Sequence, residues 1–127
     1  MAHDRRFRFA AQLSKSPDGS ARSWAEQARR AEDLGYSALL MPDHFGDQFA
    51  PVPALAAVAA ATSTLRMGAL VFCNDYRHPC VLAKEAATLD VLSDGRFELS
   101  LGAGWMRSDY DEAGLPYDHP AVRVARF

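Results

Sequence analysis

The sequence lacks the features that mark several large classes of protein. It has only two cysteines, Cys73 and Cys80, and their spacing matches no metal-ligand motif. They do not amount to the disulfide framework of a small secreted domain, so we expect free thiols in a reducing compartment. There is no Lys/Arg run and the net charge is −2, which argues against a nucleic-acid-binding surface.

Long apolar segments are also missing. The longest apolar run, residues 50–61, contains Pro51 and Pro53 and is too short to span a bilayer. The first residues carry no apolar stretch of the signal-peptide kind. We therefore expect a cytoplasmic protein with no membrane partner, no nucleic-acid partner and no metal site.

What the sequence does have is a repeating strand–helix unit. Short runs of apolar, β-branched and aromatic residues recur about every 30 residues. This alternation is typical of a parallel α/β fold, and mostly apolar strands are expected where helices cover the sheet. The predicted strands are Phe7–Leu13, Ser37–Met41, Met67–Phe72 and Arg96–Leu101.

Helix signals lie between the strands. A Ser-x-x-Glu capping box starts the first helix and a glycine ends it, while prolines open the others and a histidine caps the third. The first helix is predicted from Ser23 to Leu34–Gly35, and the second starts near Pro53. The third runs from Pro79, after His78, to about Leu92. The fourth, Pro120–Phe127, has no C-terminal cap.

Two architectures fit this alternation, an open doubly wound sheet and a (β/α)₈ barrel. The pair Gly102–Gly104 is a weak dinucleotide signal, because Arg107 stands where the third glycine should be. Polar side chains follow the carboxyl ends of the strands, at Asp43–His44, Asn74–Tyr76 and Trp105–Tyr110. This asymmetry favours a barrel with strand order 1-2-3-4, although open sheets also bind ligands at that edge.

Four blocks of sequence, residues 34–44, 66–71, 76–79 and 87–105, occur in an order and spacing that resemble the bacterial luciferase-like superfamily of coenzyme F420- or flavin-dependent oxidoreductases. The resemblance implies a commonly dimeric (β/α)₈ barrel that holds a flavin or deazaflavin ring at its mouth. It implies hydride transfer or monooxygenation of a small organic substrate, with F420 slightly favoured over FMN. The alternative is a truncated, non-catalytic fragment or partner subunit of such an enzyme.

The resemblance also implies site residues. His44 corresponds to a catalytic histidine beside the reacting carbon of the ring, where an imidazole can exchange a proton. Leu70–Val71 corresponds to a strand bulge, often with a cis peptide bond, that supports the ring. The predicted cofactor-binding set consists of these residues together with three others: Asp43, His44, Leu70, Val71, Gly104 and Trp105.

Several assignments rest on position alone. Asp43 is expected either to orient the imidazole of His44 or to cap the segment that follows it. Asp109 and Tyr110 are expected to hydrogen-bond within their own loop, and Cys73 is expected in a pocket wall. Trp105 stands where some deazaflavin-dependent dehydrogenases carry a glutamate, which argues against a glucose-6-phosphate- or alcohol-dehydrogenase-like activity.

We interpret residues 1–127 as one partial domain, the first four βα units of a barrel that needs eight. The first and fourth strands should then be open edges beside an uncovered apolar face. We expect a truncated product, inactive alone, that aggregates, pairs with another half or acts as a homo-oligomer.

Overall fold

The computed structural model describes residues 7–127, in which strands and helices alternate as the sequence predicts. The elements are β1 Ala10–Gln12, α1 Ala21–Asp33, β2 Ala38–Met41, α2 Pro51–Ala61, β3 Arg66–Ala69, β4 Phe72–Cys73, α3 Pro79–Leu92, β5 Phe97–Glu98, β6 Leu101–Gly102, α4 Arg107–Ala113 and α5 Pro120–Arg126.

The main sheet has four parallel strands in the order β1-β2-β3-β5. Leu39 pairs with Met67, and Met67 pairs in turn with Phe97. Each strand of this sheet therefore lies beside the strand of the same sheet that follows it in the chain, as right-handed crossovers in a barrel require. The predicted α/β fold class and the 1-2-3-4 order are confirmed, and the 3-2-1-4 order of a dinucleotide-binding sheet is excluded.

The third and fourth predicted strands are each split in two. β4 pairs with β6 in a separate two-stranded parallel sheet, where Phe72 lies opposite Leu101. The break in strand 3 falls at the bulge that the resemblance implies, whereas the break in strand 4, at residues 99–100, was not predicted. The interruption in strand 3 is a bulge at Leu70–Val71, after which the backbone resumes pairing through the N–H of Phe72 and the carbonyl of Ser100, 2.9 Å apart.

Helices α1, α2 and α3 cover one face of the sheet and bury the main core. Leu39 and Met67 are fully buried on that face. Trp24 of α1 is 2% exposed, and its Nε1 donates a 3.0 Å hydrogen bond to the carbonyl of Ala54 in α2. Within residues 7–127, no helix is both long enough and apolar enough to cross a membrane.

The opposite face of the sheet carries charge and exposed apolar groups. Glu98 accepts hydrogen bonds from Arg66 at 2.5 Å and from Arg8 at 2.7 Å. Arg8 precedes the first strand and Glu98 lies on the fourth in the sheet, so this contact requires a curved sheet. Leu99 and Leu101, which follow Glu98 in the chain, are exposed, and β1 and β5 are the outer strands of the described sheet, as predicted.

The helix starts differ from the predicted ones in two places. The N-cap of α1 is Ser20, not Ser23, because the Ser20 side chain accepts the 3.1 Å hydrogen bond from the backbone N–H of Ser23. α2 begins at Pro51 rather than near Pro53. Both prolines fit there, since the first-turn N–H groups have no partner within the helix.

The remaining helix ends match the prediction, with one helix missed. α1 ends before Gly35, which has a φ of 80°, and His78 caps α3 by accepting a 3.2 Å hydrogen bond from the Cys80 N–H. α4 was not predicted. Its C-terminus is capped by Gly114 in the left-handed conformation.

A single carboxylate joins α1 to the turn before β3. Oε1 of Glu32 accepts hydrogen bonds from the backbone N–H groups of Ser63, Thr64 and Leu65 and from the Thr64 hydroxyl, at 2.5–2.9 Å. Burial would raise the pKa of Glu32, but these donors outweigh it and lower the pKa from 4.5 to about 2.

Because this pKa is lowered in the folded chain, the carboxylate stabilises the fold above pH 4.5, and the stabilisation is lost as the pH falls from 4.5 towards 2. We predict that Glu32→Gln lowers the free energy of unfolding at pH 7 by roughly 1 kcal/mol, after allowing for solvent screening. The difference should vanish near pH 2. Urea unfolding at several pH values measures it. Glu26→Gln, an exposed residue of the same helix, is the control, and an equal effect of both variants would contradict the assignment.

Candidate functional site

The carboxyl ends of β2, β4 and β6 surround a cavity of about 120 Å³. All six residues of the predicted site line it, so the sequence-based grouping of these residues is reproduced. Cys73, predicted as a pocket wall, also lines it, and Tyr76 is an addition. The lining residues are Asp43, His44, Leu70, Val71, Cys73, Tyr76, Gly104 and Trp105.

One wall of the cavity is the bulge between β3 and β4. The peptide bond between Leu70 and Val71 is cis, as the resemblance implies. Val71 packs against Gly102, where an added Cβ would collide with its side chain. Leu70 is 51% exposed and Trp105 is 67% exposed, so both leave apolar surface open beside the cavity.

His44 is held by the carboxylate of Asp109, which lies in the first turn of α4. Its Nδ1 lies 2.6 Å from Oδ2 of Asp109, and its side chain is about one quarter exposed. The ring of Trp105 stands edge-on to the imidazole, with the ring centres 5.9 Å apart. The imidazole therefore borders the cavity, and its Nδ1 is hydrogen-bonded within the protein.

Asp109 is 2% exposed and accepts hydrogen bonds from three donors on two segments of the chain. Besides His44, the Tyr76 hydroxyl donates to Oδ2 at 2.8 Å and the Phe45 N–H donates to Oδ1 at 3.3 Å. Burial would raise the pKa of Asp109, but the donors outweigh it and the pKa is lowered. Burial and the bond to Asp109 raise the pKa of Tyr76, so the phenol remains a donor.

Asp43 has neither of its two expected roles. Its carboxylate forms a two-point ion pair with Arg77, at 2.6 and 2.8 Å, and accepts the Cys73 N–H at 2.8 Å. It contacts neither the imidazole of His44 nor the segment that follows. The bond to Asp43 raises the pKa of Arg77 against the opposing effect of burial. Asp43 thus fixes β4 beside β2, and its contact with a cofactor stays a prediction.

The Asp109 side chain bonds outside its own loop, so the expectation was wrong for it, whereas the Tyr110 hydroxyl does contact the Ala103 carbonyl of its own loop, at 3.5 Å. Both lie in α4, and the buried Tyr110 hydroxyl donates to Asp75 at 2.8 Å. Burial and the bond to Asp75 raise the pKa of Tyr110. The sequence reasoning noted that Tyr76 and Asp109 follow strand ends but assigned them no role in the site, and it did not single out Arg77.

The chain matches the family model for luciferase-like monooxygenases over residues 6–126. It is 36% identical over 107 residues to the F420-dependent glucose-6-phosphate dehydrogenase of Beutenbergia cavernae, covering 76% of this chain and 31% of that enzyme. The chain belongs to the luciferase-like monooxygenase family.

Solved structures agree with this placement. The coenzyme F420-dependent tetrahydromethanopterin reductase of Methanopyrus kandleri superposes with a TM-score of 0.77 at 29% identity, covering 89% of this chain and 31% of that one. The oxygenating constituent of 3,6-diketocamphane monooxygenase from Pseudomonas putida, in complex with FMN, gives 0.78 at 19% identity, covering 95% and 37%. The second likeness shows the fold alone. The chain therefore spans about a third of the length of these relatives.

Gly104 is the tightest point of the cavity wall. Its φ is 75°, and an added Cβ would collide with the Tyr110 hydroxyl and lie 2.8 Å from Sγ of Cys73. We predict that Gly104→Ala lowers the free energy of unfolding by about 1–3 kcal/mol. Gly46→Ala is the control, because its Cβ would meet no atom within 4 Å. Denaturant unfolding compares the two, and equal stabilities would contradict the close packing described here.

Proposed function

We propose that this chain supplies the cofactor-facing wall of a luciferase-like oxidoreductase that uses a flavin or deazaflavin. One observation carries the proposal: His44, the Leu70–Val71 bulge and Trp105 line a single cavity at the strand carboxyl ends. Active sites of (β/α)₈ barrels lie at that edge. The reaction is hydride transfer or monooxygenation of a small organic substrate.

The residues present fit a flat, largely apolar ring. Leu70 and Trp105 offer exposed apolar surface, and His44 offers a nitrogen that exchanges protons. The cavity of about 120 Å³ is smaller than the roughly 300–1,000 Å³ of complete ligand sites. The chain thus provides one wall, and further βα units would enclose the ring. The bound cofactor supplies the redox chemistry, and the protein orients it and handles the proton.

The choice between F420 and FMN rests on the blocks of sequence. The family includes F420-dependent enzymes and a monooxygenase in complex with FMN. We favour F420 slightly, on the resemblance of the four sequence blocks alone. Trp105 in place of a glutamate argues against a glucose-6-phosphate- or alcohol-dehydrogenase-like activity, so the substrate class stays open within small organic molecules.

A second candidate function is a non-catalytic fragment or partner subunit of such an enzyme. The supporting observation is the open sheet edge: β1 and β5 are the outer strands of the described sheet, and Phe9 and Leu99, which flank them in the chain, are exposed. Exposed apolar side chains of this kind suit contact with further strands. In both candidates, catalysis needs βα units beyond those described.

We predict that millimolar F420 shifts the indole N–H resonance of Trp105 in ¹H–¹⁵N NMR spectra of the 127-residue chain. The resonance of Trp24 is an internal control, because that indole is buried against Ala54. Since one wall covers only part of the ring, the dissociation constant should be roughly 0.1–1 mM. FMN, titrated separately, should bind more weakly. A shift of Trp24 alone, or of neither indole, would count against the proposed wall.

A further inference from the structure

We propose that Asp109 is the positioning residue of this site: it holds the exchangeable proton of the neutral His44 ring on Nδ1, so that Nε2 is the nitrogen that gains and loses a proton. The position of the proton rests on geometry alone. Its use in turnover rests on the proposed function.

The chemistry of the carboxylate determines which atom carries the hydrogen. Asp109 accepts from the Phe45 N–H, which can only donate, and from the Tyr76 hydroxyl. These bonds also keep its pKa low, against the effect of burial, so the group is an ionised acceptor with no hydrogen to offer. At 2.6 Å from its Oδ2, Nδ1 of His44 must be the donor.

The other ring nitrogen of His44, Nε2, is the one available for proton transfer. Nε2 of His44 makes no hydrogen bond with any residue between 7 and 127, and the imidazole lines the cavity beside Leu70 and Val71. In a neutral imidazole, a proton on Nδ1 makes Nε2 an acceptor. Nε2 is therefore the atom that can take up a proton from a group in the cavity and return it.

The carboxylate is held from several directions, which is what a positioning role requires. Asp109 comes from the first turn of α4, Tyr76 from the segment between β4 and α3, and Phe45 from the segment after β2. Because Tyr76 and Phe45 bind different oxygens, the carboxylate cannot rotate freely away from His44. A tie that only held the loops together would fix the same tautomer, so turnover of the complete enzyme is the measurement that separates a structural role from a positioning role.

The direct test is ¹⁵N NMR of the 127-residue chain labelled in the histidine rings, at a pH high enough for neutral imidazole. His44→Gln assigns the His44 signals by their disappearance. In the unsubstituted chain we expect Nδ1 to be of the protonated type and Nε2 of the unprotonated type. Asp109→Ala should give a mixture of tautomers, while Asp111→Ala, which removes an exposed carboxylate of the same helix, should change nothing.

The outcomes separate the two claims. A proton on Nε2, or a mixture of tautomers in the unsubstituted chain, overturns the inference, and this result needs no variant that might fail to fold. In the complete enzyme, Asp109→Ala should lower kcat by roughly 10–10²-fold with little change in the cofactor KM, and the loss should not add to that of His44→Ala. A fixed Nδ1–H with unchanged turnover in both variants would leave the tautomer standing and remove the proposed role of His44.

Discussion

The carboxylate of Asp109 is the interaction on which the geometry of the site depends. It lies where the segments after β2, β4 and β6 meet, and it accepts hydrogen bonds from the His44 imidazole, the Tyr76 hydroxyl and the backbone N–H of Phe45. A buried, ionised group is costly unless it is fully hydrogen-bonded, so these donors and the carboxylate fix one another. The imidazole, the phenol and the loop that carries Trp105 thereby take defined positions around one cavity.

This arrangement is possible because all the strands are parallel. Parallel pairing in the order β1-β2-β3-β5 brings every strand carboxyl end to the same edge, and the helices cover only the outer face. The contact of Glu98 with Arg8 and Arg66 shows that the sheet curves toward its uncovered face. Curvature, edge strands and the shared site edge together are what the opening units of a barrel provide, and the family relatives are about three times as long.

Much of this architecture could be predicted from the sequence, because the signals are local and periodic. Local residue chemistry predicts the end of α1 from its glycine and the start of α3 from its proline and histidine. The spacing of the apolar runs predicts the strands. The partner of His44 could not be predicted in this way. Asp109 lies 65 residues from His44, and its own helix is a seven-residue element that the sequence does not mark clearly. Asp43, the neighbour of His44 in the chain, was expected as one of two possibilities to orient the imidazole, but its carboxylate is paired with Arg77 instead.

The central claim is that this chain presents His44 and the Leu70–Val71 bulge to a flavin or deazaflavin ring. A crystal structure of the complete barrel with the cofactor bound tests it most directly. We predict that the ring lies against the backbone of Leu70–Val71, with Nε2 of His44 within roughly 3–4 Å of its reacting edge. A ring bound elsewhere, or an imidazole whose Nε2 faces the protein, would contradict the account.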